Sequence, residues 1–378
     1  MISLRVQVDT VLLKVASRCN IDCTYCYVYN MGDDGWRDMP ALMSEETVAA
    51  TCDCLSELRQ GQAHRFAVVL HGGEPLMLGA RRLRQFLTAI RNALPIDYPI
   101  GIQTNGVLIT SEVLDICAEA DVSLSVSVDG PAMIHDRYRI GKKGEGTHGQ
   151  TVAGIELLRS HPKAAKLFSG VLAVIDPFSD PAAVYWYLKG LGASSIDFLY
   201  RDGNHSKLPF GKISFHSTEY AQWLTAILDL YLADSHPPRI RFLDDLIKLS
   251  LGGQGSKEGL GETDYGIVII DADGSVAKND TLKSTMPGAD RFSEKWTVQT
   301  HNLIDVLTTK EFRQYHALQR PTSSKCQKCD ELHVCGGGMP LHRWSDTNEF
   351  DNPSVYCADQ LALIGAIRHR LMQAGLMT

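Results

Sequence analysis

The sequence predicts an α/β protein in two parts: an open, partial barrel of six strand–helix units, (β/α)6, followed by a smaller cysteine-rich domain. Three observations predict it. Apolar β-branched runs alternate with amphipathic stretches through the first two hundred residues. Short glycine-containing or polar motifs follow those runs. From Ile267 the pattern changes to a hairpin and then to clustered cysteines.

Strands are expected over 11–16, 66–71, 99–104, 122–128, 167–175 and 196–199. Helical periodicity covers 44–59, 79–94, 111–120, 147–160 and 180–190. Repeated strand–helix units give a parallel sheet with helices outside it. Six units suit an open barrel better than a closed eight-fold one, and in such sheets the active site lies at the C-terminal ends of the strands. A helix over 217–233 follows, then a connecting stretch ending in the Gly/Ser-rich piece 252–261. The run IVIIDADGSVAKND reads as a β-hairpin turning at Asp273-Gly274, and a helix over 358–374 closes the chain. The expected division is a barrel over 1–235, a connecting segment over 236–261 and a second domain over 262–378.

Composition narrows the function. At 378 residues the chain exceeds one compact core. Its net charge of −7 is spread along the chain and offers no basic face, which argues against nucleic acid as partner. No apolar run approaches the ~18 residues of a membrane helix. The start, MISLRVQVDT, lacks the regions of a signal peptide. A cytoplasmic protein with no membrane partner is expected. Its ten cysteines are then thiols rather than disulfides. Three fall within 19–26 and four within 326–357, and such clusters read as metal or iron–sulfur sites. Cys52, Cys54 and Cys117 stand apart on expected helices and read as buried or half-buried thiols.

The first cluster is Cys19-x3-Cys23-x2-Cys26, in KVASRCNIDCTYCYVYN, just after the first strand. Three thiolates hold a 4Fe-4S cluster by three of its irons and leave the fourth open to a ligand. A zinc knuckle, the alternative, needs a fourth ligand nearby, and no His or Cys follows until Cys52. After the second, third and fourth strands come His71-Gly72-Gly73-Glu74-Pro75, Gln103-Thr104-Asn105-Gly106 and Ser125–Gly130 (SVSVDG). Glycines at such ends let backbone groups approach a ligand closely.

The triplet resembles the signature of the radical S-adenosyl-L-methionine (SAM) superfamily, and the other motifs match that family in order. The resemblance implies a radical SAM barrel whose triplet cluster binds SAM and cleaves it to a carbon radical. It implies that the Gly72-Gly73-Glu74 loop binds the SAM amino group, with Tyr25, Gln103 and Asn105 also around the cofactor. Ser127 and Asp129 are then near the ribose and methionine moieties, and Arg139 pairs with the carboxylate. A surface ion pair is the competing reading for Arg139. Leu199 covers the adenine or is a plain core leucine.

Cys326-x2-Cys329-x5-Cys335 followed by Cys357 resembles the SPASM domain of peptide-modifying radical SAM enzymes. That pattern carries two auxiliary clusters. Here no Cys precedes Gly274, and two further cysteine positions of the pattern hold Asn279 and Met339. The first auxiliary set is therefore missing, and the second, Cys326, Cys329, Cys335 and Cys357, is complete. The expectation is two 4Fe-4S clusters, one SAM-binding and one auxiliary. A four-cysteine structural zinc site is the alternative at the second. The resemblance also implies that Asp280, which follows Asn279, is the catalytic base. A solvated carboxylate and an unusual cluster ligand are the competing readings.

The motifs LHGGEPL, ND-x-LK, CGGGMPLHR and FDNPSVYCADQ resemble most closely the FxsB-like peptide maturases, which join an aromatic ring to a side-chain β-carbon (a cyclophane). The substrate implied is a ribosomal precursor peptide, and the electron donor a flavodoxin or ferredoxin. The eighteen residues before Cys19 leave no room there for a leader-binding domain. Two other functions stay open: a sulfatase-maturing type, oxidising Cys or Ser to formylglycine, and a non-catalytic metal-binding scaffold.

Overall fold

The structure, a computed structural model, describes residues 6–377; residues 1–5, part of the stretch read for a signal peptide, lie outside it. Its strands, in chain order, are β1 (Thr10–Ala16), β2 (Ile21–Cys23), β3 (Ala67–Gly72), β4 (Ile100–Thr104), β5 (Val122–Ser127), β6 (Arg139–Gly141), β7 (Phe168–Val174), β8 (Ser195–Leu199), β9 (Arg239–Ile240), β10 (Ile267–Ile270) and β11 (Val276–Ala277). The six expected barrel strands are β1, β3, β4, β5, β7 and β8. Their ends lie within a residue of the expected ones, because the apolar runs themselves set the limits.

Two compact units form. The first holds the chain up to Val128, His135–Gly170 and Gly266–His316. Its sheet runs β11-β10-β1-β3-β4-β5. All pairs are parallel except the β10–β11 hairpin. Parallel neighbours need a crossover, and helices supply it. Glu45–Gly61, Gly79–Ala93 and Ser111–Glu119 bury Leu55 and Leu58, Leu83 and Phe86, and Val113 and Ile116 respectively. The first starts at Ser44, whose hydroxyl accepts from Thr47 N at 3.1 Å, and the third at Thr110 in the same way. Cys54 and Cys117 are buried on these helices, and Cys52 is half-buried.

The second unit holds Asp129–Ile134, Val171–Tyr265 and the chain from Ala317. There β7, β8 and β9 pair in parallel. Helices Pro181–Gly190, Glu219–Ala233, Arg241–Ser250 and Cys357–Gln373 accompany them.

These units do not divide at 236 and 262. The hairpin assigned by sequence to the second domain joins the first unit, because β10 completes the edge of β1, with Thr10 opposite Ile267 and Leu13 opposite Ile270. An open parallel edge exposes unpaired N–H and C=O groups, and the apolar run IVII covers them. The segment read as a connection is also more ordered than expected. It contains β9 and the helix Arg241–Ser250, which buries Phe242, Leu243, Leu246 and Leu249. Among the described residues no helix is long and apolar enough to cross a membrane.

Candidate active site

The site in the first unit begins where β1 ends. Cys19, Cys23 and Cys26 lie on the loop that follows, each half-buried. Cys26 N donates to Cys23 O at 3.0 Å, a tight turn that keeps the last two on one side. Cys23 is also part of β2, which pairs antiparallel with β6 and sets Cys23 opposite Arg139. The end of β3 lies directly on this loop: Gly73 N donates to Ala16 O at 2.8 Å and Glu74 N to Arg18 O at 3.0 Å. This approach demands glycine. A Cβ on Gly72, whose φ is +128°, would stand 2.1 Å from Ala16 O, and one on Gly73 would stand 2.2 Å from Arg18 O.

Burial pushes the Cys19 thiol up to about 12 and the Cys26 thiol to about 11, and the other thiols of the loop add to the rise. The pocket opposes uncompensated thiolates, and a bound cation reverses that balance. Three soft sulfur donors on one loop, beside a glycine cradle, fit an iron–sulfur cluster held at three irons. Among the described residues no three His, Cys, Asp or Glu side chains converge as a single-ion site.

Glu74 is 1% exposed, and its carboxylate is taken up by this chain. It accepts from Asn105 N at 2.8 Å, Thr104 Oγ1 at 2.7 Å and Leu76 N at 3.0 Å. Burial raises its pKa, and these donors oppose the rise. Its contacts tie the β3 loop to the β4 loop. Asn105 reaches back to the cysteine loop, donating to Asn20 Oδ1 at 2.8 Å with Cys19 Sγ at 3.8 Å. Gln103 Nε2 donates to Ser127 Oγ at 2.9 Å, and Arg139 Nη1 to Tyr25 Oη at 2.9 Å. Arg139 is buried, in contrast to its surface reading. The structure thus brings Tyr25, Gly72, Gly73, Glu74, Gln103, Asn105, Ser127 and Arg139 into linked contacts within the first unit.

Asp280 also lies in this unit and is 4% exposed, which removes the reading of it as a solvated loop carboxylate. Its Oδ2 is 2.9 Å from Lys14 Nζ and accepts from Tyr27 Oη at 3.1 Å. Lys14, 4% exposed, is also 3.6 Å from Asp271. Burial alone would raise the Asp280 carboxyl, but Lys14, with His71 and Lys283, outweighs it and holds the pKa below the ordinary carboxylate value. His71 stands opposite Lys14 in the β1–β3 register. Burial lowers its pKa and keeps it neutral, and its Nδ1 is buried without a hydrogen-bond partner. A second buried group continues the cluster: Lys283 Nζ lies 3.3 Å from Asp290 and 3.7 Å from Asp33. Asn279, at a lost cysteine position, caps the turn Asp280–Ser284 by accepting from Thr281 N at 3.0 Å.

Sequence reasoning missed Lys14, Tyr27, His71 and Lys283. The signal for Lys14 was present: a lone charge inside the apolar strand TVLLKVA has to be paired.

Asp129 and Leu199 fall in the second unit. Asp129 is buried and accepts from Val174 N at 3.1 Å, and Leu199 ends β8. Cys326, Cys329, Cys335 and Cys357 are also there, and burial, with the other three thiols close by, pushes Cys335 up to about 12. Cys326 and Cys329 share a turn (Cys329 N to Cys326 O, 3.0 Å). Gly336, Gly337 and Gly338 all have positive φ, and a Cβ on Gly337 would stand 2.5 Å from Pro321. Four sulfur donors suit a fully ligated cluster or a zinc ion by donor chemistry, but no three of them close on a single-ion site.

Comparison with known proteins agrees with this geometry. Residues 13–174 match the Radical SAM superfamily. The cysteine-type anaerobic sulfatase-maturating enzyme of Clostridium perfringens is 24% identical over 362 residues, covering 92% of this chain and 93% of that one. The serine-type enzyme of Bacteroides thetaiotaomicron is 24% identical, covering 88% and 82%. Among solved structures, native anSMEcpe with bound AdoMet shares the fold at a TM-score of 0.82, with 21% identity over 97% of this chain and 99% of that one. Streptococcus suis SuiB bound to precursor peptide SuiA matches at 0.61, with 13% identity over 89% and 73%. The likeness to the Radical SAM superfamily thus lies in residues 13–174, the stretch that holds the cysteine triplet and the loops after β3, β4 and β5.

Proposed function

We propose that this chain is a radical SAM oxidoreductase acting on a side chain of a peptide or protein, and that its reaction is of the sulfatase-maturating kind, oxidation of Cys or Ser to formylglycine. The observation that carries this reading is the likeness to cysteine-type and serine-type sulfatase-maturating enzymes along nearly the whole chain. When bound, a cluster on Cys19, Cys23 and Cys26 together with SAM supplies the radical that removes a hydrogen atom from the substrate. The loop Gly72-Gly73 and the contacts of Tyr25, Gln103, Asn105, Ser127 and Arg139 line the cofactor side, and Glu74 holds two of these loops together. Asp129 and Leu199 keep the cofactor-binding role that the family resemblance implies for them.

The chain's own contribution to the later step is a proton acceptor. Asp280 is ionised because Lys14 holds it so, and both recorded contacts fall on Oδ2, leaving Oδ1 to take the proton. A carboxylate held this way binds a proton weakly. It suits a donor that has become strongly acidic, as a substrate radical does when it gives up an electron. Cys326, Cys329, Cys335 and Cys357 would hold an auxiliary cluster able to accept that electron, and Cys19, Cys23 and Cys26 would hold the cluster that an external donor such as flavodoxin or ferredoxin would reduce.

A specific observation favours a second reading, cyclophane formation in a ribosomal precursor peptide. Asn279 and Met339 stand where the first auxiliary cluster's cysteines are expected, and Asn279 acts as a helix cap. One experiment separates the readings. The anaerobically reconstituted protein is incubated with SAM, reductant and either a Cys/Ser sulfatase-type peptide or an aromatic-x-polar precursor peptide. Mass spectrometry is run before and after a hydrazide reagent. An aldehyde trapped on the first peptide supports formylglycine formation. Loss of two hydrogens from the second, with no trapped aldehyde and a crosslinked fragment pattern, supports the cyclophane. Turnover of SAM with neither peptide altered contradicts both.

A further inference from the structure

The motif CGGGMPLHR contains an arginine that the reaction above does not use. Arg343 is 1% exposed and ranks among the largest fully buried side chains. Its Nη2 donates to Leu318 O, and its Nε is buried without a hydrogen-bond partner. Among the described residues it forms no ion pair with any Asp or Glu. The groups whose negative charge would offset its burial are Cys326 and Cys335. Its neighbour His342 is buried and neutral, and so adds no charge. The buried Lys212–Asp359 pair, 2.5 Å apart, cancels itself. Lys325 faces Cys357 but is exposed and screened by water.

A cation buried without a counter-ion is strongly unfavourable, and an arginine does not shed its proton to escape. The anion that balances Arg343 must therefore come from the cysteines. We infer that Arg343 is the fixed counter-charge of the four-cysteine site and raises the reduction potential of the 4Fe-4S cluster held there. This rests on reading that site as a cluster. Four thiolates leave such a cluster negative in both redox states, and reduction adds one further negative charge. A positive charge fixed in a low-dielectric surround stabilises the reduced form more than the oxidised form. Gln360 strengthens the same effect: its amide oxygen lies 3.1 Å from Cys335 Sγ, and turning the amide presents an N–H to a thiolate. Arg343 thus tunes the cluster as an acceptor of substrate electrons, acting as a positioning residue that does not touch the substrate.

The test is a redox titration followed by electron paramagnetic resonance on the full chain with Cys19, Cys23 and Cys26 changed to Ala, so that the auxiliary cluster is observed alone. Arg343→Met should keep about four irons and shift the midpoint downward by at least the ~59 mV that a tenfold change represents for one electron. Arg343→Lys should stay nearer the parent, and Lys325→Gln should move it less than Arg343→Met. An unchanged potential in Arg343→Met, or an equal fall in Arg343→Lys, overturns the proposal. If Arg343→Met loses its iron, Arg343→Lys decides: a retained cluster near the parental potential sustains the role, and loss of iron in both makes it purely structural. Zinc in place of iron in the parent protein would show that the cluster reading itself has failed.

Discussion

Lys14 and Asp280 come from opposite ends of the first unit's sequence and meet at 2.9 Å with almost no solvent. Removing one partner of a buried pair leaves the other uncompensated, which typically costs ~3–5 kcal/mol. Lys14→Met should lower stability by about that much, and adding Asp280→Asn should recover part of the loss; denaturant unfolding of the single and double variants measures the coupling. Asp280→Asn alone tests the base. It keeps the shape and removes the proton acceptor, so 5′-deoxyadenosine should still form while modified product falls by ~10²–10⁴-fold. Normal product formation would end the base assignment, and a fall in iron content would make Asp280 a cluster ligand instead. Asp280 was legible through the ND-x-LK motif, but its environment was not. Which cation pairs with it depends on β10 settling beside β1, and nothing in the local pattern of either segment states that partner.

At the scale of elements, the β3–loop junction is the most demanding feature near the cysteines. Gly73 has no room for a Cβ against Arg18 O and the Tyr29 hydroxyl. Gly73→Ala should push the β3 end away from the cysteine loop at a cost of ~1–3 kcal/mol. We expect a lower melting temperature and loss of the first cluster's iron, with the second cluster's iron retained; full iron content at both sites would show that the close approach is dispensable. The strands that build this junction were readable because β-branched apolar runs declare themselves over five to seven residues. The hairpin was read as well, with its turn at Asp273-Gly274, where Gly274 has φ +85°. The helix Arg241–Ser250 was not, although FLDDLIKL has helical spacing of its apolar residues; the Gly/Ser-rich piece after it drew the whole stretch into a linker. The short β2–β6 pair, which sets Arg139 opposite Cys23, is only three residues long on each strand and leaves no periodicity to detect.

At the scale of the whole molecule, the local sequence pattern did not state where the compact units divide. Division depends on long-range strand pairing, and the 266–316 segment belongs with residues far earlier in the chain. The expected number of clusters rests on which cysteines are present. The anaerobically reconstituted protein should bind about eight irons, four for each of the two cysteine sets. About twelve would restore the missing auxiliary cluster despite Asn279 and Met339, and about four with one zinc would make the second set structural.

The most direct test of the account is reductive cleavage of SAM. The wild-type protein and the variant with Cys19, Cys23 and Cys26 changed to Ala are each incubated anaerobically with SAM and dithionite, and 5′-deoxyadenosine is quantified. We predict steady formation by the wild type and none by the variant, whose auxiliary absorbance should remain, because the triplet set alone leaves an iron open to SAM. Formation at the wild-type rate by the variant, or none by a wild-type protein loaded with iron, would contradict the assignment of Cys19, Cys23 and Cys26 as the radical-generating site.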